Sequence, residues 1–198
     1  VKYPPTIWKG RAYVGSADGW VYALEAASGR GLWQFRAAPV DRHILVYGHI
    51  SSTWPVNSGV LVDKGIAYFA AGIVDHDGTY VYAVDALTGK LRWQNTSSGH
   101  LNAAIRKGAS VQGNLSLRGG QLLLASGNQV SPTHYKIEDG SCVSRVPRDG
   151  NPSANGGKFV GVFSNGAIFQ GGRILHSSPR NVSTKGNFVA FSKNGVNT

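Results

Sequence analysis

Asp75 and Asp77, separated by His76, come nearest to a metal-binding pattern in this sequence of 198 residues. Carboxylate oxygens at alternate positions suit a hard cation such as calcium, but a calcium loop also needs further ligands and a bidentate glutamate. Neither a third ligand nor such a glutamate follows, and the next residue is Gly78. We therefore interpret residues 75–78 as a solvated loop between two strands, and we predict no metal site.

Nucleophilic and redox catalysis also lack their characteristic residues. The Gly-x-Ser-x-Gly pattern of a serine nucleophile does not occur, and the six histidines show no metal-ligand spacing. Cys142 is the single cysteine, so the sequence contains no internal disulfide, no adjacent cysteine pair and no CxxCH haem attachment. We interpret Cys142 as a half-buried small residue of a strand, and we predict no catalytic residue.

The chain is strongly basic, with a formal net charge of +10. Such a charge attracts nucleic acid, anionic lipid or an acidic partner. The basic residues are spread along the chain, and no Lys/Arg run alternates with stacking aromatics, so nucleic-acid binding is disfavoured. A weaker alternative is a carbohydrate or polyanion binder that uses Arg36, Arg42 and an exposed aromatic such as Trp54.

The apolar stretches are far shorter than the roughly 18 to 20 residues of a membrane-spanning helix. We therefore predict no transmembrane segment. The first five residues show neither an initiator Met nor a charged segment followed by an apolar one, so no signal peptide is visible.

The elements that position these residues follow from an internal repeat. Similar segments begin at Gly10, Gly65, Gly120 and Gly172, with spacings of 55, 55 and 52 residues. A period of about 40 to 50 residues or slightly more, built from short strands and turns, is typical of β-propeller blades. The 27 glycines and the absence of any sustained helical periodicity agree with that interpretation.

The second unit shows the expected blade most clearly. We predict its inner strand at residues 59–62, a turn at 63–65, and further strands at 66–71, 80–85 and 91–95. The continuous apolar runs of the inner strands indicate sheets that are buried on both faces between neighbouring blades.

The predicted fold is therefore all-β, a β-propeller of four-stranded antiparallel blades, with four blades in this chain out of a ring of seven or eight. The blades are assigned to residues 1–37, 55–97, 112–146 and 159–198. The tight turns are assigned to pairs that tolerate left-handed backbone: Asp18-Gly19, Asp77-Gly78, Asp139-Gly140 and Asn194-Gly195.

Residues 82–93, which read YAVDALTGKLRW, resemble the tryptophan-docking motif of quinoprotein propellers, Ala-x-Asp-x-x-Thr-Gly-x-x-x-Trp. Residues 22–33 form a second copy, with Glu for Asp and Ser for Thr. The third repeat keeps the turn at residues 135–141 in a shortened form, and no Trp follows it. The residues matching the motif are Ala23, Glu25, Ser28, Gly29 and Trp33 in the first copy, and Ala83, Asp85, Thr88, Gly89 and Trp93 in the second.

Each residue type in this motif has a structural explanation. Asp85 and Thr88 can accept hydrogen bonds from the backbone amides of the tight turn, and Gly89 takes the left-handed position. Ala83 leaves space under the ring of a neighbouring blade. Trp93 is then expected to lie mostly buried between adjacent blades, with its indole N–H bonded to a carbonyl across the gap. The motif is therefore interpreted as architecture, not as chemistry.

Over roughly its first 95 residues the chain also resembles secreted pyrroloquinoline-quinone-like propeller proteins of planctomycete-type bacteria. Quinoprotein dehydrogenases of this fold hold their quinone on the propeller axis over an indole, beside a calcium or lanthanide ion bound by Glu, Asn and Asp. They also use an Asp as base and, in many cases, adjacent cysteines. None of these sets is recognisable here, and four repeats are half of an eight-bladed ring.

The resemblance therefore implies a non-catalytic scaffold or binding module of a periplasmic or otherwise extracytoplasmic assembly. Its partners would be other proteins or the remaining blades of the same chain, and no cofactor is evident. The alternative is a fragment of a quinoprotein oxidoreductase whose active site, with pyrroloquinoline quinone and calcium, lies in blades outside this chain.

Overall fold

The computed structural model describes residues 3–46, 48–127, 130–146 and 158–170, together with the backbone of three short strands between residues 173 and 197. Antiparallel strands dominate these residues, and two single-turn 3-10 helices at Asp75–Asp77 and Ser98–His100 interrupt them. The prediction of an all-β fold is therefore confirmed.

The first two repeats each form a four-stranded antiparallel sheet whose strands follow one another in chain order. The first sheet contains β1 (Thr6–Trp8), β2 (Arg11–Gly15), β3 (Trp20–Glu25) and β4 (Gly31–Arg36). A separate hairpin of β5 (His43–Val46) and β6 (His49–Ser52) follows. The second sheet contains β7 (Val60–Asp63), β8 (Ile66–Ala71), β9 (Tyr80–Asp85) and β10 (Leu91–Asn95). The four strands predicted for the second unit are confirmed to within one residue.

The third sheet is smaller than predicted, and the structure describes three strands of the fourth. The third contains β11 (Leu115–Arg118), β12 (Gln121–Leu124) and β13 (Thr133–Lys136), and the fourth contains β14 (Val160–Val162), β15 (Ile168–Gln170) and β16 (Arg173–His176). A short hairpin of β17 (Ala190–Ser192) and β18 (Gly195–Asn197) comes last. The prediction of four strands in every blade is wrong for the third sheet. In the described residues that follow its turn, which end at residue 146, Cys142 pairs with Tyr135 as an isolated bridge and no outer strand forms. This stretch has no tryptophan to anchor such a strand.

The sheets pack face to face along the chain, which is the arrangement of propeller blades. Tyr13 and Val21 of the first sheet pack against Phe69 and Val84 of the second. A second interface joins Tyr68 and Val81 to Leu122, Leu124 and Tyr135 of the third sheet, and a third joins Leu123 and Ala125 to Val160 and Ile168. The innermost strands contact one another in the order β1, β7, β11, β14.

The uninterrupted apolar sequence of β8 follows from the burial of both of its faces. Successive side chains of a strand point to opposite faces. Ala67, Phe69 and Ala71 accordingly belong to the interface with the first sheet, whereas Tyr68 and Ala70 belong to the interface with the third. The predicted burial of this strand on both faces is confirmed.

Glycines occupy the left-handed turn positions that the sequence indicated. Gly19, Gly78 and Gly140 have φ angles of 88°, 96° and 73°. Gly78 follows a 3-10 turn, so this connection is longer than a two-residue hairpin. Asn194, of the last predicted turn, lies outside the described residues, as does most of the fourth unit beyond Gln170.

Candidate functional site

The turn of the second repeat is organised around the carboxylate of Asp85. Its Oδ1 accepts hydrogen bonds from the backbone N–H of Leu87 (3.1 Å), from the backbone N–H of Thr88 (3.0 Å) and from the Thr88 hydroxyl (2.9 Å). Its Oδ2 pairs with the Arg92 guanidinium at 2.9 Å. Arg92, followed by Thr88, lowers the pKa of Asp85 from 3.8 to about 2. The charged form of this residue therefore holds the turn in shape.

The first repeat builds the same turn with longer or smaller side chains. The Ser28 hydroxyl donates to Oε2 of Glu25 and accepts from the backbone N–H of Arg30 at 3.2 Å. Arg30 also pairs with Glu25 at 3.4 Å. The pKa of Glu25 is lowered, mainly by the Ser28 hydroxyl and then by Arg30. Gly29 has a φ of 74° and Gly89 has a φ of 71°, so the two turns share their backbone geometry.

The turn of the third repeat is not shortened, and the sequence-based interpretation was wrong on this point. The Gly140 N–H donates to the Lys136 carbonyl at 2.9 Å, just as the Gly89 N–H donates to the Asp85 carbonyl at 2.8 Å. The two turns have equal length, but the acidic residue of the third repeat stands three positions later. There, Asp139 accepts a hydrogen bond from the backbone N–H of Ser141 at 2.8 Å. Because Lys136 stands where the motif has an acid, the match is hidden in the sequence.

The two motif tryptophans cross from one sheet to the turn of the next. The indole N–H of Trp33 donates to the Ala86 carbonyl at 3.0 Å, and that of Trp93 donates to the Ile137 carbonyl at 2.8 Å. Trp33 lies over Gly89, where an added Cβ would come within 2.9 Å of the ring. Trp93 lies over Gly140, where a Cβ would be 2.3 Å from the ring. Only glycine leaves room for the indole at these two positions.

Both indoles keep only a minor part of their surface exposed, so the prediction that they are mostly buried is confirmed. They belong to the outermost strands β4 and β10, so the inner part of each ring packs into the interface while the outer part faces solvent.

The motif alanines lie opposite the motif tryptophans of their own sheets. Ala83 pairs across strands with Trp93 of its own sheet, and Ala23 pairs in the same way with Trp33. Both alanines are fully buried. Both small side chains lie beside the tryptophan of the same blade, in the interface with the following sheet.

Sequence reasoning missed a second aromatic residue at each interface. The Tyr13 hydroxyl donates to the Ala86 carbonyl at 2.9 Å, so this carbonyl accepts from both Tyr13 and Trp33. The rings of Tyr13 and Trp33 are 5.9 Å apart, and those of Tyr68 and Trp93 are 6.0 Å apart in a similar tilted arrangement. The available signal was that Tyr13 and Tyr68 occupy the same position of two matching strands.

Trp54 is not the exposed aromatic that a carbohydrate or polyanion site requires. It is only 6% exposed, and its indole N–H donates to the Asp77 carbonyl at 2.7 Å. The guanidinium of Arg42 lies 4.6 Å from the centre of its ring and 3.8 Å from the Asp77 carboxylate. These contacts fasten the base of the β5–β6 hairpin to the second sheet, while Arg36 remains exposed at the end of β4.

The acidic cluster at residues 75–78 is engaged by protein groups. Asp75 accepts from the backbone N–H of Gly108 at 3.1 Å and lies 3.6 Å from the His76 ring nitrogen, and Asp77 faces Arg42. In the part of the chain that the structure describes, no three His, Cys, Asp or Glu side chains are grouped as metal ligands would be. Cys142 is half-buried, and burial raises the pKa of its thiol.

The innermost strands border a small open cavity of about 150 Å³, lined in part by Tyr3, Thr6, Ser58 and Asn114. The polar side chains here bond to backbone: the Tyr3 hydroxyl donates to the Lys158 carbonyl at 3.2 Å, and the Asn114 amide donates to the Val160 carbonyl at 2.8 Å. No carboxylate lines this cavity. Calcium sites in proteins ordinarily include carboxylate oxygens, so the lining of this cavity does not fit such an ion.

No helix within the described ranges is long and apolar enough to cross a membrane.

Comparison with known proteins places this geometry in context. Residues 1–141 match the family described as outer membrane protein assembly factor BamB. The chain is also 30% and 32% identical, over 88 residues, to the dehydrogenase subunits of quinone-dependent alcohol dehydrogenases from Acetobacter aceti and Gluconobacter oxydans. Each match covers 44% of this chain and 11% of the relative.

Among solved structures, the quinohemoprotein alcohol dehydrogenase of Comamonas testosteroni superposes with a TM-score of 0.62 at 17% sequence identity. The superposition covers 88% of this chain and 33% of that one. It establishes the β-propeller fold and extends no further, since the identity is low.

The contacts of Trp93 predict a large loss of stability when it is removed. Trp93→Ala is expected to lower the free energy of unfolding by about 3 to 5 kcal/mol, because it leaves a cavity and an unpaired carbonyl at Ile137. Lys90→Ala, on the exposed surface of the same turn, is the matched control and should change it by less than about 0.5 kcal/mol. Urea denaturation of both variants of the full-length protein measures the difference, and equal effects would contradict a docking role.

The lowered pKa of Asp85 predicts a defined pH dependence. The folded-state pKa of about 2 lies below the ordinary value of 3.8, so the charge stabilises the fold at pH values above about 4. That stabilisation is lost as the pH falls towards 2. The difference in unfolding midpoint between the full-length protein and its Asp85→Asn variant should therefore be largest near pH 6 and shrink between pH 4 and pH 2. A difference that stays constant over this range would show that the carboxylate charge does not hold the turn.

Proposed function

Because this chain belongs to the pyrroloquinoline-quinone-repeat family described as outer membrane protein assembly factor BamB, we propose that it is a non-catalytic β-propeller scaffold or binding module of an extracytoplasmic protein assembly. The proposal is supported by the hydrogen bonds that the motif tryptophans make to the neighbouring sheet. Trp33 and Tyr13 both bond to the carbonyl of Ala86, and Trp93 bonds to that of Ile137. The most recognisable residues of the chain thus serve the contacts between blades.

A second candidate is a fragment of a quinoprotein oxidoreductase. The similarity to two quinone-dependent alcohol dehydrogenase subunits favours it, but the match covers 11% of each subunit. Under this alternative the quinone and its calcium ion would be held by blades outside this chain, because the cavity at its innermost strands offers no carboxylate.

Adding pyrroloquinoline quinone and calcium to the full-length protein separates the two candidates. A scaffold is expected to give no quinone absorbance change on binding and no reduction of an artificial electron-acceptor dye with primary alcohols. A quinoprotein alcohol dehydrogenase treated in parallel is the positive control. Quinone-dependent dye reduction by the full-length protein would overturn the scaffold proposal.

We further propose that the four blades are part of a larger ring of seven or eight. The turn at Gly29 supports this, because an added Cβ there would meet no atom of the described residues within 4 Å, whereas Gly89 and Gly140 are each covered by an indole. The matching face of the first sheet, which includes Tyr22 and Leu24, is only half-buried. A turn with the geometry of the two covered turns thus remains open to a preceding blade.

Residues 1–198 produced alone are therefore expected to self-associate or to melt without a single cooperative transition. Exposed blade faces and sheet edges pair with other chains, and repeat proteins depend on neighbouring units for stability. Sedimentation and thermal melting measure both properties. Leu24→Lys, on the uncovered face, should reduce association, whereas a wild-type chain that is a monodisperse monomer with one sharp transition would contradict the larger ring.

A further inference from the structure

Two lysines adopt a backbone conformation that residues with a side chain rarely take. Lys9 and Lys64 have φ angles of 45° and 46°, and each lies in the turn between the innermost strand of its sheet and the next strand. The left-handed region is unfavourable for L-residues and is ordinarily filled by glycine, asparagine or aspartate. Gly119 holds the equivalent position of the third repeat, with a φ of 51°.

The comparison between repeats shows that the lysine side chain is not needed to form this turn. Because Gly119 supports the same turn, the turn does not require a lysine. Two neighbouring repeats nevertheless retain lysine where the backbone disfavours it. Strained residues of this kind are concentrated at functional sites, where the side chain is needed for something other than folding.

Both lysines line one groove of about 540 Å³ between the first and second sheets. Trp8, Ile66 and Leu87 contribute apolar surface to this groove, and Leu87 is 47% exposed. Trp8 reaches over Gly65, where an added Cβ would be 3.8 Å from the edge of the ring. The amine of Lys9 lies 4.9 Å from the centre of the Trp8 ring.

The charges around this groove are mostly positive. Arg92 lines it together with the two lysines, and Arg11 lies close by, donating to the Leu87 carbonyl at 3.2 Å. Asp85 is the carboxylate among the lining residues, and it is already paired with Arg92 at 2.9 Å. An occupant that complements this surface carries negative charge and at least one apolar side chain.

We propose that the groove between the first two blades binds an acidic peptide segment of a partner protein. Carboxylates of the peptide meet Lys9 and Lys64, and an apolar side chain covers Trp8 and Leu87. This inference rests on the proposed scaffold role and names the surface and the chemistry of its partner. An apolar floor with a cationic rim favours a peptide over a polysaccharide, which lacks aliphatic side chains to fill the floor.

The test uses a fluorescein-labelled octapeptide of alternating Glu and Leu, titrated with the full-length protein while the anisotropy of the peptide is followed. The informative variant is the double substitution Lys9→Gly and Lys64→Gly. Because glycine relieves the left-handed strain, its melting temperature should be unchanged or higher. Its affinity for the peptide should fall about tenfold, and the dependence of binding on salt should become weaker.

Lys136→Ala is the matched control, since it removes an exposed lysine from the third repeat and should leave the affinity within about twofold. A Gln and Leu octapeptide should bind much more weakly than the acidic one. Equal binding by the double variant and the native chain, or by the two peptides, would overturn the proposal. Dextran sulfate that binds through the same lysines when the peptide does not would also overturn it, in favour of an anionic polysaccharide.

The peptide titration contains neither quinone nor metal, so its result is independent of the dye-reduction experiment. Failure of peptide binding leaves the scaffold role standing, whereas dye reduction would overturn that role whatever the peptide does.

Discussion

Each blade of this protein has two apolar faces and cannot bury both by itself. Strand β8 sends Phe69 to one neighbour and Tyr68 to the other, so the second sheet is stable only between two sheets. Such nearest-neighbour dependence is the defining energetic property of repeat proteins. Burial on both faces leaves mostly apolar side chains and tyrosines in the middle strands. Hydrogen bonds across the gap then run to backbone carbonyls at the ends of the strands, as from Tyr13 to Ala86 and from Tyr82 to Ala37.

The turn after the third strand supplies a carbonyl that accepts hydrogen bonds across the gap between blades. Asp85 first fixes the turn internally through the amides of Leu87 and Thr88, which leaves the Ala86 carbonyl directed towards the previous sheet. That carbonyl then accepts from an indole and a tyrosine hydroxyl, so a buried acceptor is fully satisfied. The backbone N–H of Ala86 is bound at 2.9 Å to the Gly65 carbonyl, and the first repeat repeats this bond between Ala26 and Gly10. One turn therefore orders both its own blade and the contact with its neighbour.

These constraints explain how much of the structure could be predicted from the sequence. The strands of the second sheet were predictable because an uninterrupted apolar run and glycine turns leave little alternative. The β5–β6 hairpin could not be predicted in the same way. Its cross-strand pair Leu45 and Ile50 is exposed to solvent at 75% and 76%, whereas exposed side chains between blades are usually polar. Trp54 was wrongly expected at the surface, because nothing in its local sequence indicates that the Arg42 side chain covers its ring.

The candidate site was predictable only where the repeats agree. The turn at Lys136 was misread because its backbone hydrogen bonds are kept while the acid has moved to Asp139, and sequence comparison sees only the side chain. Sites that depend on differences between repeats are harder to detect. The fold is recognised from residues that the repeats share, and the residues of such a site are not shared. Lys9, Lys64 and Gly119 share one backbone conformation, and only their φ angles show that the first two are the unusual residues. In a fold whose shared residues serve the contacts between blades, such departures are where a specific binding function can reside.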